Sequence, residues 1–379
     1  MKFLHIADTH LGYSAYRKTT EEGINQRELD VYRAFEEFVD YAIKTQPDFI
    51  LHCGDLFDNV RPNNRAIGFA IDQMIRLSEE KIPLIIIAGN HEHPKIKETG
   101  SIFQIFDHIE NTYPVYKGKY EQIKLKIKKE EILIHAIPQN NSKDDFKKQL
   151  QELIINKEKD YNIFMAHGSV TGIKEFKMNE FNELFIPAEY LSKKYDYIAL
   201  GHYHRYTQLA ANAYYSGSIE NLTFTDAGDK KGFLEIKLEK DKLQNNFIEI
   251  KHREMIDAKP IKCSDLKLDQ IMNKIKTTIK EIKPKEKTFR ITLDDIPSSI
   301  YRSLDFNEIR KTSSEAIHYE IKANVTKKDE IKQNTNSKID RLVNEYKQYL
   351  ETKDIENKQT IQELGIGYIE KIEAREEGK

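Results

Sequence analysis

Five short polar motifs carry side chains suited to divalent metal ions. They are Asp8-Thr9-His10, Gly54-Asp55, Gly89-Asn90-His91, His167 before Gly168, and Gly201-His202-Tyr203-His204. Carboxylate, amide oxygen and imidazole together form a hard-to-borderline donor set. Such a set suits Mn2+, Fe2+ or Zn2+ and needs no thiolate. If two ions are to sit about 3.5–4 Å apart, one ligand must bridge them. A carboxylate has two oxygens, which makes Asp55 the candidate bridge. Each motif alone reads equally well as a turn or as a buried, satisfied histidine. All five in this order, each after an apolar stretch, are not independent turns.

The elements that would position these motifs alternate from the start. Lys2–Ala7 reads as a short buried strand, Asp48–Cys53 as a second and Leu84–Ala88 as a third. Between them lie two amphipathic helices. One carries Leu29, Tyr32, Phe35, Val39 and Ala42 on a face; the other carries Ile67, Ala70, Ile71, Met74 and Ile75, with Asn63 or Asn64 as cap. Such β-α-β-α-β alternation predicts an α/β layered fold, and strand ends of an open α/β sheet converge on one crevice. Glycines beside the ligands let the backbone turn sharply there. Further strands are expected at Ile132–Ala136, Ile163–Ala166 and Tyr197–Leu200, and a hairpin at Phe233–Lys237 and Phe247–Lys251. Ser142 with Asp145 predicts a helix start, with Phe146, Leu150, Leu153 and Ile154 as its apolar residues.

Pro260 marks a boundary. After it come a helix with Leu268, Ile271, Ile275 and Ile279 on one face, a strand at Phe289–Leu293, a helical stretch near Phe306 and a strand at Ile317–Ile321. The expected organisation is a main domain over 1–255, a small αβαβ-like unit over 256–323, a Lys/Asn/Thr-rich linker over 324–338 and a charged helical segment over 339–379. In that last segment Ile339, Leu342, Val343, Tyr346 and Leu350 share one helical face. Ile361, Leu364, Tyr368, Ile369 and Ile372 form a second stripe, interrupted at Gly365-Ile366-Gly367, with a polar loop over Glu351–Thr360 between them.

The bulk composition narrows the classes. In 379 residues, 39% are hydrophobic and 32% charged, yet the formal net charge is only −2, so nucleic-acid binding would need a local cationic surface. Two cysteines far apart, Cys53 and Cys263, argue against a disulfide framework. No signal-peptide pattern and no uninterrupted apolar stretch of about 18 residues is present. The expected location is cytoplasmic, with no membrane association.

The five motifs resemble the calcineurin-like metallophosphoesterase signature over roughly residues 1–250. That resemblance implies a layered α/β fold, a β-sandwich flanked by helices, and two divalent ions, manganese foremost. Asp8, His10, Asp55 and His204 would hold one; Asp55, Asn90, His167 and His202 would hold the other. More specific features resemble the DNA double-strand-break repair nucleases of the SbcD-like or Mre-eleven type. These are the opening Met1–Tyr13, Gly54-Asp55-Leu56-Phe57 with Arg61-Pro62, and Tyr215-Ser216-Gly217-Ser218. The αβαβ-like unit sits where that family has its DNA-binding capping domain. The family further implies a homodimer, joined through its C-terminal helices to an SbcC-like coiled-coil ABC ATPase, and nucleoid association when on DNA. One position departs. Many members carry a histidine three residues after the bridging aspartate, assigned to handling the substrate phosphate in exonuclease action. Here it is Asp58, and a carboxylate cannot donate a charge-assisted hydrogen bond at neutral pH. This leaves the exonuclease-to-endonuclease balance open; the simpler alternative is a solvated or capping aspartate.

The reaction implied is phosphodiester hydrolysis by water activated between two ions, with His91 as general acid to the leaving oxygen. The alternative for His91 is a histidine that only orients a ligand. Tyr13, Arg17, Lys18 and Arg61 lie just beyond the metal loops and are candidates for DNA contact, against the alternative of ordinary solvated side chains. Two other functions remain open: a phosphodiesterase or phosphatase on small phosphoesters, and a non-catalytic scaffold of the same fold. The second would typically have lost several ligands, and every expected ligand is present.

Overall fold

The computed structural model describes all residues except 95–98, 157, 172–182, 192–193, 241, 327–337, 352–356 and 377–379. Two six-stranded sheets form the centre of the first unit. The first sheet runs in the order β14-β13-β1-β2-β3-β4. Its strands are β1 (Lys2–Ile6), β2 (Phe49–His52), β3 (Leu84–Ile87), β4 (Thr112–Val115), β13 (Gly232–Glu239) and β14 (Lys242–Glu249). The second runs β11-β12-β10-β7-β6-β5. Here β5 is Glu121–Ile127, β6 Glu130–Ile137, β7 Tyr161–His167, β10 Tyr197–Gly201, β11 Thr207–Ala210 and β12 Ala213–Tyr215. Two short strands, β8 (Ser169–Val170) and β9 (Phe185–Ile186), pair with each other.

The central strands β1 to β4 are parallel, as are β6, β7, β10 and β12. Helices α1 (Gln26–Thr45) and α2 (Asn64–Glu79) make the first two crossovers. Parallel strands covered on both faces read as nearly continuous apolar runs, and the buried clusters show why. In β1, Leu4 and Ile6 face α1 residues such as Val31 and Phe35. Phe3 and Ala7 face the other sheet, among Ile134, Ile163, Met165 and Tyr197. In β7 the alternate residues Phe164 and Ala166 turn to a third cluster with Phe146 and Leu150 of α3 (Lys143–Gln151).

Several expectations need adjustment. Asn63 is the cap of α2, accepting from the Ala66 amide at 2.8 Å. However, the buried face of α2 is Ala66, Ala70, Gln73, Met74 and Leu77, while Ile75 is exposed. Helix α3 ends at Gln151, so Leu153 and Ile154 lie beyond it and Ile154 is solvent-facing. Strands β4, β5, β11 and β12 had no counterpart in the sequence reading.

The chain divides into two compact units. The first comprises Met1–Asp257, Ile282–Arg290 and Ser313–Tyr319; the second comprises Ala258–Glu281, Ile291–Thr312 and everything from Glu320 on. In the second, the helix Leu268–Ile282 buries Ile271, Ile275 and Ile279 as its apolar stripe implies, and Leu268 is exposed. The strand His318–Val325 runs past the expected start of the linker, most of which lies outside the described residues. Two helices follow, Lys338–Glu351 and Lys358–Glu376. The second is continuous through Gly365-Ile366-Gly367, where an interruption was expected. An interior glycine costs a helix about 1 kcal/mol, and here Gly365 has a packing reason. A Cβ on it would stand 2.2 Å from the hydroxyl of Tyr346 in the preceding helix. That hydroxyl donates to the Ile361 carbonyl at 3.0 Å. The side chains of Ile339, Leu342 and Ile372 lie outside the described residues.

Candidate metal centre

The five motifs follow directly on the carboxyl ends of β1, β2, β3, β7 and β10. There the backbone leaves ordinary geometry. Asp8, His10, Asp55 and His202 have φ of 54°, 46°, 53° and 102°. Non-glycine residues in this region are uncommon and cost of order 1–3 kcal/mol, a form of strain that clusters at functional sites. The first two loops hold each other in place. The amides of Asp8, His10 and Leu11 donate to the carbonyls of Gly54, Asp55 and Leu56 at 3.0, 3.0 and 2.7 Å. Gly89 is needed for close approach, since a Cβ there would stand 2.1 Å from Oδ1 of Asp55.

These turns bring together three groups of candidate ligands: Asp8, His10 and His204; Asp55, His167 and His202; and His10, Asp55 and His91. Within each group the donor atoms lie within 4.8 Å of one another. Donors bound at about 2.0–2.2 Å to one ion stand up to about 4.4 Å apart, so only small adjustments separate these groups from a coordination shell. Asn90 Oδ1 is 2.9 Å from His167 Nε2 and 3.1 Å from His202 Nδ1. Asp55 Oδ2 is 3.2 Å from His167 Nε2 and 3.8 Å from His10 Nε2, between the two sets. His10 supplies the test of fit. Its side chain is 1% exposed, and neither ring nitrogen has a hydrogen-bond partner among the described residues. Two carboxylates face it, Asp58 Oδ1 3.3 Å from Nδ1 and Asp55 Oδ2 3.8 Å from Nε2, and the rings of His91 and His204 stand at 4.6 and 5.1 Å. A buried imidazole without hydrogen bonds, set among carboxylates and further imidazoles, fits a divalent cation.

Outer partners fix which nitrogen each histidine presents. His167 Nδ1–H donates to the Cys53 carbonyl at 2.8 Å, turning Nε2 towards Asp55 and Asn90. His202 Nε2 lies 3.5 Å from Glu183 Oε1, so Nδ1 is its inward atom. His204 Nδ1 lies 3.7 Å from Asp226 Oδ1, and Asp226 Oδ2 accepts the Leu222 and Thr223 amides at 2.9 Å each. Behind them the buried Lys231 ammonium donates to the His204 carbonyl and to Ser218 Oγ, both at 3.0 Å. Glu92 is fully buried and accepts from the amides of Gly89 at 3.1 Å and Phe57 at 3.3 Å, and from that of Leu56. It thereby ties the second and third motifs together.

The electrostatics match a site built to receive positive charge. Burial alone would lower the His167 pKa, but the charge and hydrogen bond of Asp55 outweigh it and hold the imidazolium up to about 10. Burial, then the Asp55 charge, push the Glu92 carboxyl up to about 8. Burial would raise Asp226, yet its hydrogen bond and charge interaction with His204 hold it well below the carboxylate range. For His10, burial dominates and lowers the pKa.

His91 stands at the rim of this cluster. Its amide donates to Asp55 Oδ1 at 3.0 Å and its Nδ1–H to the Asp58 carbonyl at 2.8 Å, and its ring centroid lies 4.6 Å from that of His10. Asp58 is therefore neither a helix cap nor fully solvated: its carboxylate is directed at His10 and its side chain is only 22% exposed. Of the DNA-contact candidates, Arg17, Lys18 and Arg61 are exposed. Tyr13 is half-buried, packs on the α1–α2 core and donates its hydroxyl to the Leu222 carbonyl. Sequence reasoning missed Glu92, Glu183, Asp226 and Lys231. Glu92 had a signal, because it directly follows Gly89-Asn90-His91. Asp226 reads as the end of a Thr223-x-x-Asp226 capping box, which it also is.

Residues 1–206 match the family described as calcineurin-like phosphoesterase. This chain belongs to the calcineurin-like phosphoesterases. Among them it is similar to three archaeal proteins named DNA double-strand break repair protein Mre11. It is 28% identical to that of Methanococcus maripaludis over 327 residues, 80% of each chain. It is 30% identical to that of Sulfolobus acidocaldarius over 293 residues, 75% of this chain and 71% of the other. It is 36% identical to that of Sulfurisphaera tokodaii over 209 residues, 54% of this chain and 49% of the other. For a calcineurin-like phosphoesterase, the cluster around Asp55 lies within the matched family region up to His204, and Asp226 and Lys231 lie beyond it.

Proposed function

We propose that this calcineurin-like phosphoesterase is a metal-dependent DNA nuclease acting in double-strand-break repair. The observation that carries the reading is Asp55, set between the Asp8–His10–His204 and His167–His202 groups. Similarity to Mre11 proteins over most of both chains supplies DNA as the substrate. Asp8, His10, Asp55 and His204 would hold one ion; Asp55, Asn90, His167 and His202 would hold the other, with Mn2+ the preferred occupant. When bound, such ions activate water and offset charge on the transferring phosphoryl group. The chain's own residues do the rest. The Cys53 carbonyl, Glu183 and Asp226 orient His167, His202 and His204 so that the other ring nitrogen faces inward. His91, oriented by the Asp58 carbonyl, delivers a proton from Nε2 to the leaving oxygen. With Asp58 in place of the histidine that many relatives carry there, the exonuclease-to-endonuclease balance is what the digest below is to measure.

The partners follow from the same reading: DNA, a second copy of the chain, and an SbcC-like ATPase at the C-terminal helices. Tyr349, Leu364 and Tyr368 on those helices are 59%, 59% and 67% exposed, the kind of apolar surface that a partner groove covers. The unit over 256–323 serves as the DNA-capping domain. Among the described residues no helix is long and apolar enough to cross a membrane, and the proposed location is the cytoplasm, on the nucleoid when DNA-bound.

The decisive experiment compares Mn2+-dependent digestion of end-labelled linear and hairpin DNA with turnover of bis(p-nitrophenyl) phosphate. Cleavage of both is expected, and the hairpin pattern reports the endonuclease share. A protein that hydrolyses only the small diester is a small-molecule phosphodiesterase. A chain lacking 331–379 should still cut single-stranded DNA but no longer co-purify with the ATPase. Retained ATPase binding would place the docking surface elsewhere.

A further inference from the structure

Lys231 is the one lysine that is buried among the described residues, with none of its surface exposed, and the hydrolysis proposed above does not use it. A buried cation is costly unless it is paired and hydrogen-bonded. A positive charge beside a site for two dications also opposes their binding. Its place there calls for something that an ammonium's three N–H donors supply. They are engaged on three sides. Lys231 donates to the His204 carbonyl and to Ser218 Oγ, both at 3.0 Å, and faces Asp226 Oδ1 at 3.8 Å. One ion pair therefore holds both ends of His204: Lys231 grips its carbonyl, and Asp226 Oδ1 stands 3.7 Å from its Nδ1.

The backbone that carries Lys231 is fixed as well. The residue leads directly into β13; its carbonyl accepts the Ile250 amide at 2.9 Å, and the Gly232 amide donates to the Ser218 carbonyl at 3.3 Å. Ser218 in turn donates its amide to the His204 carbonyl at 3.0 Å and its hydroxyl to the Glu220 carbonyl at 2.9 Å. Gly217 lets this turn lie against the ligand segment: φ is +77°, and a Cβ would stand 2.7 Å from the Tyr206 nitrogen and 3.0 Å from the His204 carbonyl oxygen. The tie crosses between the sheets. Asp8 and His10 follow β1 in the first sheet, while His204 follows β10 in the second. Because β13 pairs with β1, the bond from Lys231 to His204 fastens the first sheet to a ligand of the second. The ligands of the other set have separate ties. His167 Nδ1–H donates to the Cys53 carbonyl, the His202 amide donates to Asp8 Oδ1 at 2.8 Å, and His202 Nε2 faces Glu183.

We infer that Lys231 is a positioning residue for His204. It sets that imidazole where the ion assigned to Asp8, His10, Asp55 and His204 would bind, and it does not act on the histidines of the other ion. This rests on the two-ion reading above and deepens it by naming what seats one ion of the pair.

The test follows Mn2+ uptake by the full chain, read by electron paramagnetic resonance with no DNA present, so that metal rather than turnover is measured. Wild type should take up two Mn2+. His204→Ala and His167→Ala serve as references, each losing one of the two ions. Lys231→Met keeps the apolar stem and removes the charge and the donors. It should weaken the ion lost in His204→Ala by about 10–100-fold, the usual effect of removing a group behind a metal ligand, and leave the ion lost in His167→Ala at wild-type affinity. Two ions bound as in wild type overturn the role of Lys231. Two ions weakened alike also overturn it, because a merely structural lysine would loosen the whole centre. Should Lys231→Met fail to fold, because Asp226 loses its buried partner, the comparison moves to Asp226→Asn and the double variant Asp226→Asn/Lys231→Met, which leaves neither charge of the pair alone. The double variant should bind the His204 ion about tenfold more weakly than Asp226→Asn does, since only the double variant loses the grip on the His204 carbonyl. Equal affinity in those two variants overturns the proposal. Failure of the two-ion reading looks different: wild type itself would then take up no more than one Mn2+.

Discussion

Gly54→Ala isolates how the second motif is built. Gly54 has φ +92°, and an added Cβ would stand 2.3 Å from His167 Nδ1, 2.8 Å from its Cγ and 3.0 Å from the Gly89 Cα. Three costs follow. A left-handed conformation costs an L-residue roughly 1–2 kcal/mol. Forcing atoms into a packed site costs typically about 1–3 kcal/mol. Displacing His167 breaks its bond to the Cys53 carbonyl, about 1–3 kcal/mol when the group is left buried and unsatisfied. These terms are not additive, and a total of about 3–6 kcal/mol is expected. At about 2–4 °C per kcal/mol for a domain of this size, the melting midpoint of the metal-free chain should fall by roughly 6–24 °C. Gly228→Ala is the control: φ is +84°, but no atom lies within 4 Å of the new Cβ, so only the backbone cost applies. Circular dichroism melts of the two variants, with a Mn2+ titration of each, make the comparison. Gly54→Ala should also weaken the ion held by Asp55, Asn90, His167 and His202. A Gly54→Ala protein that melts like Gly228→Ala and binds Mn2+ as wild type does would refute the argument that close packing against His167 shapes this motif.

The remaining expectations concern the ligands and their supports. Asp55→Ala should bind neither ion tightly and lose DNA cleavage, and near-normal nuclease activity would exclude Asp55 as a bridge. His91→Ala keeps the amide that donates to Asp55 Oδ1, so metal content should hold while turnover drops by about 10²–10⁴-fold; an equal fall in metal content would make His91 an orienting group. Asp226→Asn keeps an acceptor for the Leu222 and Thr223 amides but weakens the charge behind His204. Mn2+ affinity, followed by titration, should fall by about 10–100-fold with the melting midpoint little changed, whereas a large loss of stability at full affinity would assign Asp226 to capping alone.

The central strands were legible because burial on both faces leaves an unbroken apolar run, as in Leu84–Ile87, where every residue is buried. The edge strands were not. Glu121–Ile127 alternates charged and apolar residues, and Thr112–Val115 is short and contains a proline. For the first, that alternation is itself a strand signal, passed over by a reading built on unbroken apolar runs, and its partner β6 follows at once in a hairpin with Ile127 opposite Glu130. For the second, only pairing with β3, distant in sequence, makes it a strand. In α2 the spacing identified a helix but not its rotation, because Ile75 and Leu77 are equally apolar and only packing decides which is buried. At the site, the ligands could be read because glycine-flanked donors after apolar strands form a pattern. Glu183 and Asp226 could not, since an acid becomes an orienter only when a fold brings it behind a histidine of another segment. Gly365 shows the same limit: its spacing signals a break, and the nearby Tyr346 ring gives it another use.

The pairing of β1 has a consequence for how the chain is made. One flank of this strand is met early by β2, but the other waits for β13, where Lys2 sits opposite Lys237 and His5 opposite Leu234. At ribosomal speeds of about 5–20 residues per second, roughly 9–37 s separate the emergence of the two partners. Throughout that interval the strand Lys2–Ile6, which leads into Asp8, presents an unpaired, mostly apolar edge, the kind that recruits foreign strands. His202 and His204 also emerge late, so ligand capture cannot help the nascent chain close early. Folding of the nuclease core should therefore be a late, cooperative event in synthesis, and slowing translation just before β13 should increase aggregation more than slowing it after β14.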